Sequence, residues 1–131
     1  MSHRILVIED NALNLDLVRD LLEANGLTVC SAQSAEEGVR LASTTQPDLI
    51  LMDLSLPGMD GLTATRMLKS DARTREIPVV ALTAHAMRGD DALALEAGCD
   101  GYLTKPIDTR TFPQTIAALL AKRAPEQNPL G

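Results

Sequence analysis

The chain has 131 residues, a length suited to one domain with a full core, and 45% of them are hydrophobic. A net charge of −6 argues against direct DNA binding, and 2% aromatics, with no Trp, one Phe and one Tyr, argue against stacking on single strands. No amino-terminal stretch has the form of a signal peptide and no apolar run is long enough to span a bilayer, so a cytoplasmic protein without membrane insertion is expected.

Short β-like runs alternate with helical patterns along the chain. Arg4-Ile5-Leu6-Val7-Ile8 gives a first strand that runs into Glu9-Asp10. Asn11 then caps a helix with Leu15, Val18 and Leu22 on one stripe, stopped by Asn25-Gly26. Thr28 to Ser31 is a second strand. Ser34 with Glu37 forms a capping-box pattern for a helix running to about Thr44. Leu49 to Met52 is a third strand, continuously apolar as in a central strand buried on both faces. It runs into Asp53 and is stopped by Pro57-Gly58. Leu62 to Lys69 is helical, Val79 to Leu82 is a strand running into Thr83, and a helix from about Gly89 to Ala97 stops at Gly98. Tyr102 to Thr104 is the last strand, running into Lys105-Pro106. The final helix buries Phe112, Ile116 and Leu119 or Leu120. Pro113 clashes with a helix capped by Asp108, so a start near Thr111 after a tight turn is expected. Ala124 to Gly131 reads as a frayed tail. Five strands alternating with five helices predict an α/β domain, a parallel sheet with helices on both faces.

The carboxyl edge of such a sheet is where sites form. Here Glu9, Asp10 and Asp53 bring three carboxylates to that edge, with the Thr83 hydroxyl and the Lys105 ammonium. Two like charges about 4 Å apart repel by about 4 kcal/mol at an effective dielectric of 20. Crowding of that kind persists when a divalent cation compensates it. Hard oxygen ligands without Cys or paired His favour Mg2+, which takes one or two carboxylates and leaves another free as nucleophile. Asp53, alone on the central strand, is the candidate, and a carboxylate attacking phosphorus yields an acyl phosphate. Lys105 can neutralise phosphoryl oxygens and Thr83 can hydrogen-bond another. Singly, each residue has an ordinary reading: solvated or capping acids, a β-branched strand residue, a surface lysine in a turn. Their conjunction at one edge is what points to phosphoryl chemistry.

Glu9-Asp10, Asp53 followed by Pro57 and Gly61, Thr83-Ala84 and Lys105-Pro106, in this order and spacing, resemble the receiver domain of a two-component response regulator of stand-alone type, over residues 3–122. The resemblance implies a flavodoxin-like, doubly wound sheet of order 2-1-3-4-5, the order for which receivers are themselves the standing example. It implies that Asp53 accepts a phosphoryl group from a histidine kinase or histidine phosphotransfer protein. Asp10, Asp53 and the Ser55 backbone carbonyl would bind Mg2+ directly, with Glu9 helping through water. Lys105 would reach the phosphoryl group beside a cis Lys105-Pro106 bond. Thr83 would move towards the phosphate and Tyr102 would follow it inward, although a lone aromatic on an edge strand is also ordinary packing. Ser55 and His85 stand two positions beyond Asp53 and Thr83, where members tune phosphate lifetime; His85 reads equally as a solvated loop residue. Met59 and Met87 read as partner contacts or gap-fillers. In this order Cys30 and Cys99 lie near opposite sheet edges, about 19 Å apart. That is beyond disulfide reach, and both read as buried, reduced thiols.

The expected function is a phosphorylation switch, not an enzyme with a separate substrate. With no room for an output domain after Lys122, output passes to a downstream protein through the face around Gly89 to Ala97, Tyr102 and the last helix, or along a relay. A monomer or weak dimer is expected. The competing reading is a haloacid-dehalogenase-type phosphatase, which also uses an Asp nucleophile with Mg2+. Such enzymes carry a second Asp two residues on, where this chain has Ser55. A nucleotide-binding module is disfavoured, because Glu9-Asp10-Asn11 stands where a Gly-rich phosphate loop would follow the first strand.

Overall fold

The computed structural model describes residues 3–54, 61–83, 95–104 and 107–123. The strands are β1 (Arg4–Ile8), β2 (Thr28–Ala32), β3 (Leu49–Asp53), β4 (Val79–Thr83) and β5 (Gly101–Thr104). The helices are α1 (Ala12–Ala24), α2 (Ala35–Thr45), α3 (Gly61–Ser70) and the last helix (Phe112–Arg123). Leu95 to Ala97 is also helical, and the Gly98 N–H closes that turn on the Leu95 carbonyl at 3.1 Å. The rest of the helix expected from Gly89 lies outside the described residues, as do Ser55, Met59, His85, Met87, Lys105, Pro106 and the tail.

All strand pairs are parallel, in the order β2-β1-β3-β4-β5. Alternation along the strands divides the core in two. Leu6, Ile8, Ile50, Met52, Val79 and Ala81 face α2 and α3, where they meet Ala35, Ala42, Ala64 and Leu68. Ile5, Val7, Leu49, Leu51, Val80 and Leu82 face α1 and the last helix, meeting Leu15, Val18, Leu22, Phe112, Ile116 and Leu120. Leu49, Ile50, Leu51 and Met52 are all fully buried. At about 1.5–3 kcal/mol for each such side chain, β3 contributes heavily to the core, as β1 does with Ile5 to Ile8.

Strands β2 to β5 run one residue further than the apolar pattern indicates, taking in Ala32, Asp53, Thr83 and Gly101. The sheet's hydrogen bonds carry them there. Leu54 N–H donates to the Leu82 carbonyl and Glu9 N–H to the Ala32 carbonyl, each at 3.0 Å. Hydrophobic periodicity does not register strand-end residues such as Asp53 and Thr83.

The helix ends follow local chemistry. Asn11 accepts from the Asn14 N–H at 3.0 Å and starts α1. Leu27 N–H to Leu22 O and Gly26 N–H to Glu23 O end it as a Schellman motif, with Gly26 at φ +83°. Ser34 accepts from Glu37 N–H, and Glu37 reaches back to the Gln33 N–H, one residue before the cap. Gln46 ends α2 in the left-handed region without being glycine, at φ 50°. Its side-chain amide donates to Ser43 O at 3.2 Å and Arg73 O at 3.0 Å, which helps offset the strain. The last helix starts at Phe112 as the Pro113 argument requires. Asp108 closes a tight turn on Thr111 and Phe112, and Thr115 N–H is bonded to Thr111 O. Pro113 therefore falls in the first turn, where a missing N–H costs nothing.

At the amino edge one device occurs twice. Asp48, just before β3, takes the Arg4 N–H on Oδ2 at 2.8 Å. Asp100, just before β5, takes the Val79 N–H on Oδ2 at the same distance. Lys69 Nζ adds a bond to Asp100 at 2.9 Å and two more to the Ile77 and Arg75 carbonyls. Cys99 is buried and Cys30 half-buried, both as free thiols. The expectation of two buried thiols is thus corrected for Cys30, because β2 is an edge strand and leaves that side chain partly uncovered. Among the described residues no helix is long and apolar enough to cross a membrane.

Candidate functional site

The sheet register builds the site. Ile8 stands opposite Met52, so Glu9 follows level with Asp53. Asp53 stands opposite Leu82, so Thr83 lies one step further along the next strand. Glu9 and Asp53 are each only 1% exposed and Thr83 2%, whereas Asp10 is exposed at the mouth. Glu9, Asp10 and Asp53 each offer a carboxylate oxygen, and these oxygens all lie within 4.8 Å of one another.

The cluster has some built-in compensation. Glu9 Oε2 accepts the Asn11 N–H at 3.2 Å, and α1 begins immediately after, its positive end beside the acids. A helix terminus contributes about 0.3–1 kcal/mol. The buried Glu9 and Asp53 carboxylates at the observed spacing repel by about 3 kcal/mol at an effective dielectric of 20, more than the helix terminus returns. A bound cation would relieve such crowding further. The donor set fits a hard divalent ion that keeps several waters: oxygens only, two buried carboxylates and one at the mouth.

Of the expected site residues, the structure brings together Glu9, Asp10 and Asp53, with Thr83 on the adjoining strand. Ser55, His85, Lys105 and Pro106 fall outside the described residues. Tyr102 lies on edge strand β5, opposite Ala81, with its side chain 37% exposed, so it faces outward in this conformation. Gly61, which the sequence motif already included, lies against the Asp53 backbone, and Thr65, which sequence reasoning missed, bonds to it. A Cβ on Gly61 would come within 2.9 Å of the Asp53 carbonyl oxygen. The one signal available for Thr65 was a hydroxyl residue one turn after that glycine.

A doubly wound sheet of this order with a buried acid at the end of its central strand defines a receiver. The family model for the response regulator receiver domain matches residues 5–117, and the chain belongs to that family. It is a phosphoacceptor module of two-component signalling. The chain is similar to the polar-differentiation response regulator DivK of Brucella ovis, 44% identical over 120 residues, which cover 92% of this chain and 98% of that protein. DivK of Brucella anthropi is 43% identical over the same length. Among solved structures, it resembles the receiver domain of a sensor histidine kinase from Pseudomonas aeruginosa PAO1, which holds a magnesium ion in its active-site cleft. That match has 33% identity and TM-score 0.86, covering 92% of this chain and 99% of that one. A CheY-like receiver from Methanospirillum hungatei JF-1 matches at TM-score 0.88 and 27% identity, covering 96% and 99%. The haloacid-dehalogenase alternative finds no support.

The crowding makes a stability prediction. Asp10→Asn removes one charge from the exposed side of the cluster, where solvent leaves each like-charge contact worth about 1 kcal/mol. In chelator the variant is expected to melt above the wild type, and added Mg2+ to raise the wild type but scarcely the variant. Equal or lower melting of Asp10→Asn in chelator would contradict the crowding.

Proposed function

We propose that Asp53 is the phosphoacceptor and that Mg2+ is held by Asp10, Asp53 and the Ser55 backbone carbonyl, with Glu9 in support. The observation that carries this reading is a carboxylate 1% exposed at the end of the central strand, within 4.8 Å of two others. An Asp53 carboxylate oxygen forms the new O–P bond as the N–P bond of a phosphohistidine donor breaks, and the imidazole nitrogen leaves with the electron pair. Held by these residues, Mg2+ would offset the charge gathered on carboxylates and phosphoryl oxygens. Lys105, beside a cis Lys105-Pro106 bond, shares that task as a point charge, and Ser55 and His85 tune how long the phosphoryl group survives.

The donor is a histidine kinase or a histidine phosphotransfer protein, and a cytoplasmic location goes with such a donor. The protein catalyses only its own phosphorylation and dephosphorylation. Residues 3–122 form the functional unit, acting as a monomer or weak dimer. Thr83 is the switch: its hydroxyl turns to the phosphoryl group, and Tyr102 moves inward behind it. The phosphoryl group shifts that equilibrium only by its differential affinity for the two states, which the Thr83 and Lys105 contacts supply. Leu95 at 54% and Tyr102 at 37% exposure leave apolar surface on the face that would then meet a downstream protein.

Incubation with a small phosphodonor and Mg2+ is expected to add one phosphoryl group, and Asp53→Asn or chelation to abolish it. Full labelling of Asp53→Asn would refute the assignment. Thr83→Ala is expected to accept phosphate yet not to switch. Phosphorylation-induced amide-exchange changes that reach Tyr102 in the wild type should stay near Asp53 in that variant. The full wild-type pattern in Thr83→Ala would remove Thr83 as the coupling residue.

A further inference from the structure

Helix α3 carries a stripe whose chemistry the packing of an amphipathic helix does not demand. Gly61, Thr65 and Lys69 recur at one-turn intervals, and each meets a different part of the chain. Gly61 is buried against the acceptor's own backbone: a Cβ there would stand 2.9 Å from the Asp53 carbonyl oxygen and 3.1 Å from the Leu54 Cα. Thr65 is fully buried, and its hydroxyl donates to the Gly61 carbonyl at 2.8 Å. The Cys99 thiol donates to Thr65 Oγ1 at 3.8 Å. Lys69 binds the next residue, Asp100, so the segment leading into β5 is held against α3.

A threonine hydroxyl has one proton to give and lone pairs to accept with. Here the proton goes to Gly61 and a lone pair faces the thiol. Burial pushes the Cys99 thiol up, so it remains a proton donor at neutral pH. The chain of bonds therefore has one direction, from Cys99 through Thr65 to Gly61, and it ends on the residue that abuts Asp53. Apolar burial does not call for the hydroxyl, since Ala64 and Leu68 already supply the helix's core contacts. Hydroxyls bonded back to the carbonyl four residues earlier bend helices, which gives Thr65 a lever on the first turn of α3.

We propose that Thr65 is a positioning residue for phosphoryl acceptance: its hydroxyl sets the Gly61 peptide against Asp53 and so sets how the Asp53 carboxylate projects from β3. The proposal rests on the reading of Asp53 as phosphoacceptor. Thr65 touches neither phosphoryl donor nor cation and acts through Gly61. Small displacements of a reacting group are costly, up to about 100-fold for 1 Å.

The test compares two substitutions with opposite expectations in the full chain. Thr65→Val keeps the shape and removes the hydroxyl; Thr65→Ser keeps the hydroxyl and removes a buried methyl. With a small phosphodonor and saturating Mg2+, Thr65→Val is expected to melt at or above the wild-type temperature but to accept phosphate about tenfold more slowly. Thr65→Ser is expected to melt lower yet to be labelled at close to the wild-type rate. Wild-type rates in Thr65→Val, or equal slowing in both variants, would overturn the proposal and leave Thr65 a packing residue. Labelling of the wild type that survives Asp53→Asn would instead remove the acceptor assignment beneath it, so the two failures read differently.

Discussion

Three carboxylate oxygens within 4.8 Å of one another stand at the end of strands that are otherwise apolar. Glu9 and Asp53 cannot move apart, because the ladder bonds of Glu9 to Ala32 and of Leu54 to Leu82 fix the backbone on which they sit. Only Asp10, at the mouth, has solvent to relax into. The rest of the site follows from that constraint. The Asn11 N–H and the start of α1 offset part of the charge. The oxygen-only donor set fits a hard divalent cation, which under the proposed function would offset further charge and let the pocket receive a phosphoryl group.

The opposite edge of the sheet handles acids differently. Asp48 and Asp100 each take a strand's first N–H, and Asp100 also takes the Lys69 ammonium, whose three protons all find acceptors. Those acids are bonded to partners and hold the strands together. At the carboxyl edge, Glu9, Asp10 and Asp53 also bring carboxylate oxygens within 4.8 Å of one another. The same residue type thus serves structure at one end and chemistry at the other, and the difference lies in the sign of the neighbour.

Much of this was readable in the sequence. The apolar stripe of Leu15, Val18 and Leu22, the Asn11 and Ser34 caps, and the continuous run before Asp53 fixed element types and put the acids on one edge. Pro113 forced the start of the last helix, because a ring without an N–H fits only the first turn. What stayed hidden depended on contacts between distant segments. Gln46 reads as a poor helix terminator until its amide meets the Arg73 carbonyl. Cys30 is expected near the sheet's edge yet reads as buried, and only the packing shows that it is half-buried there. Thr65 carries only the faint signal of a hydroxyl one turn after Gly61, since its meaning comes from Cys99, a residue 34 positions away.

The most direct measurement is chemical mapping of the acceptor. Protein treated with a small phosphodonor and Mg2+ is reduced with borohydride, which converts an aspartyl phosphate to homoserine, and its peptides are sequenced by mass spectrometry. The account predicts homoserine at position 53 alone, and none when Mg2+ is chelated. Homoserine at position 10, or a phosphoryl group retained on His3 or His85 with position 53 unchanged, would contradict it.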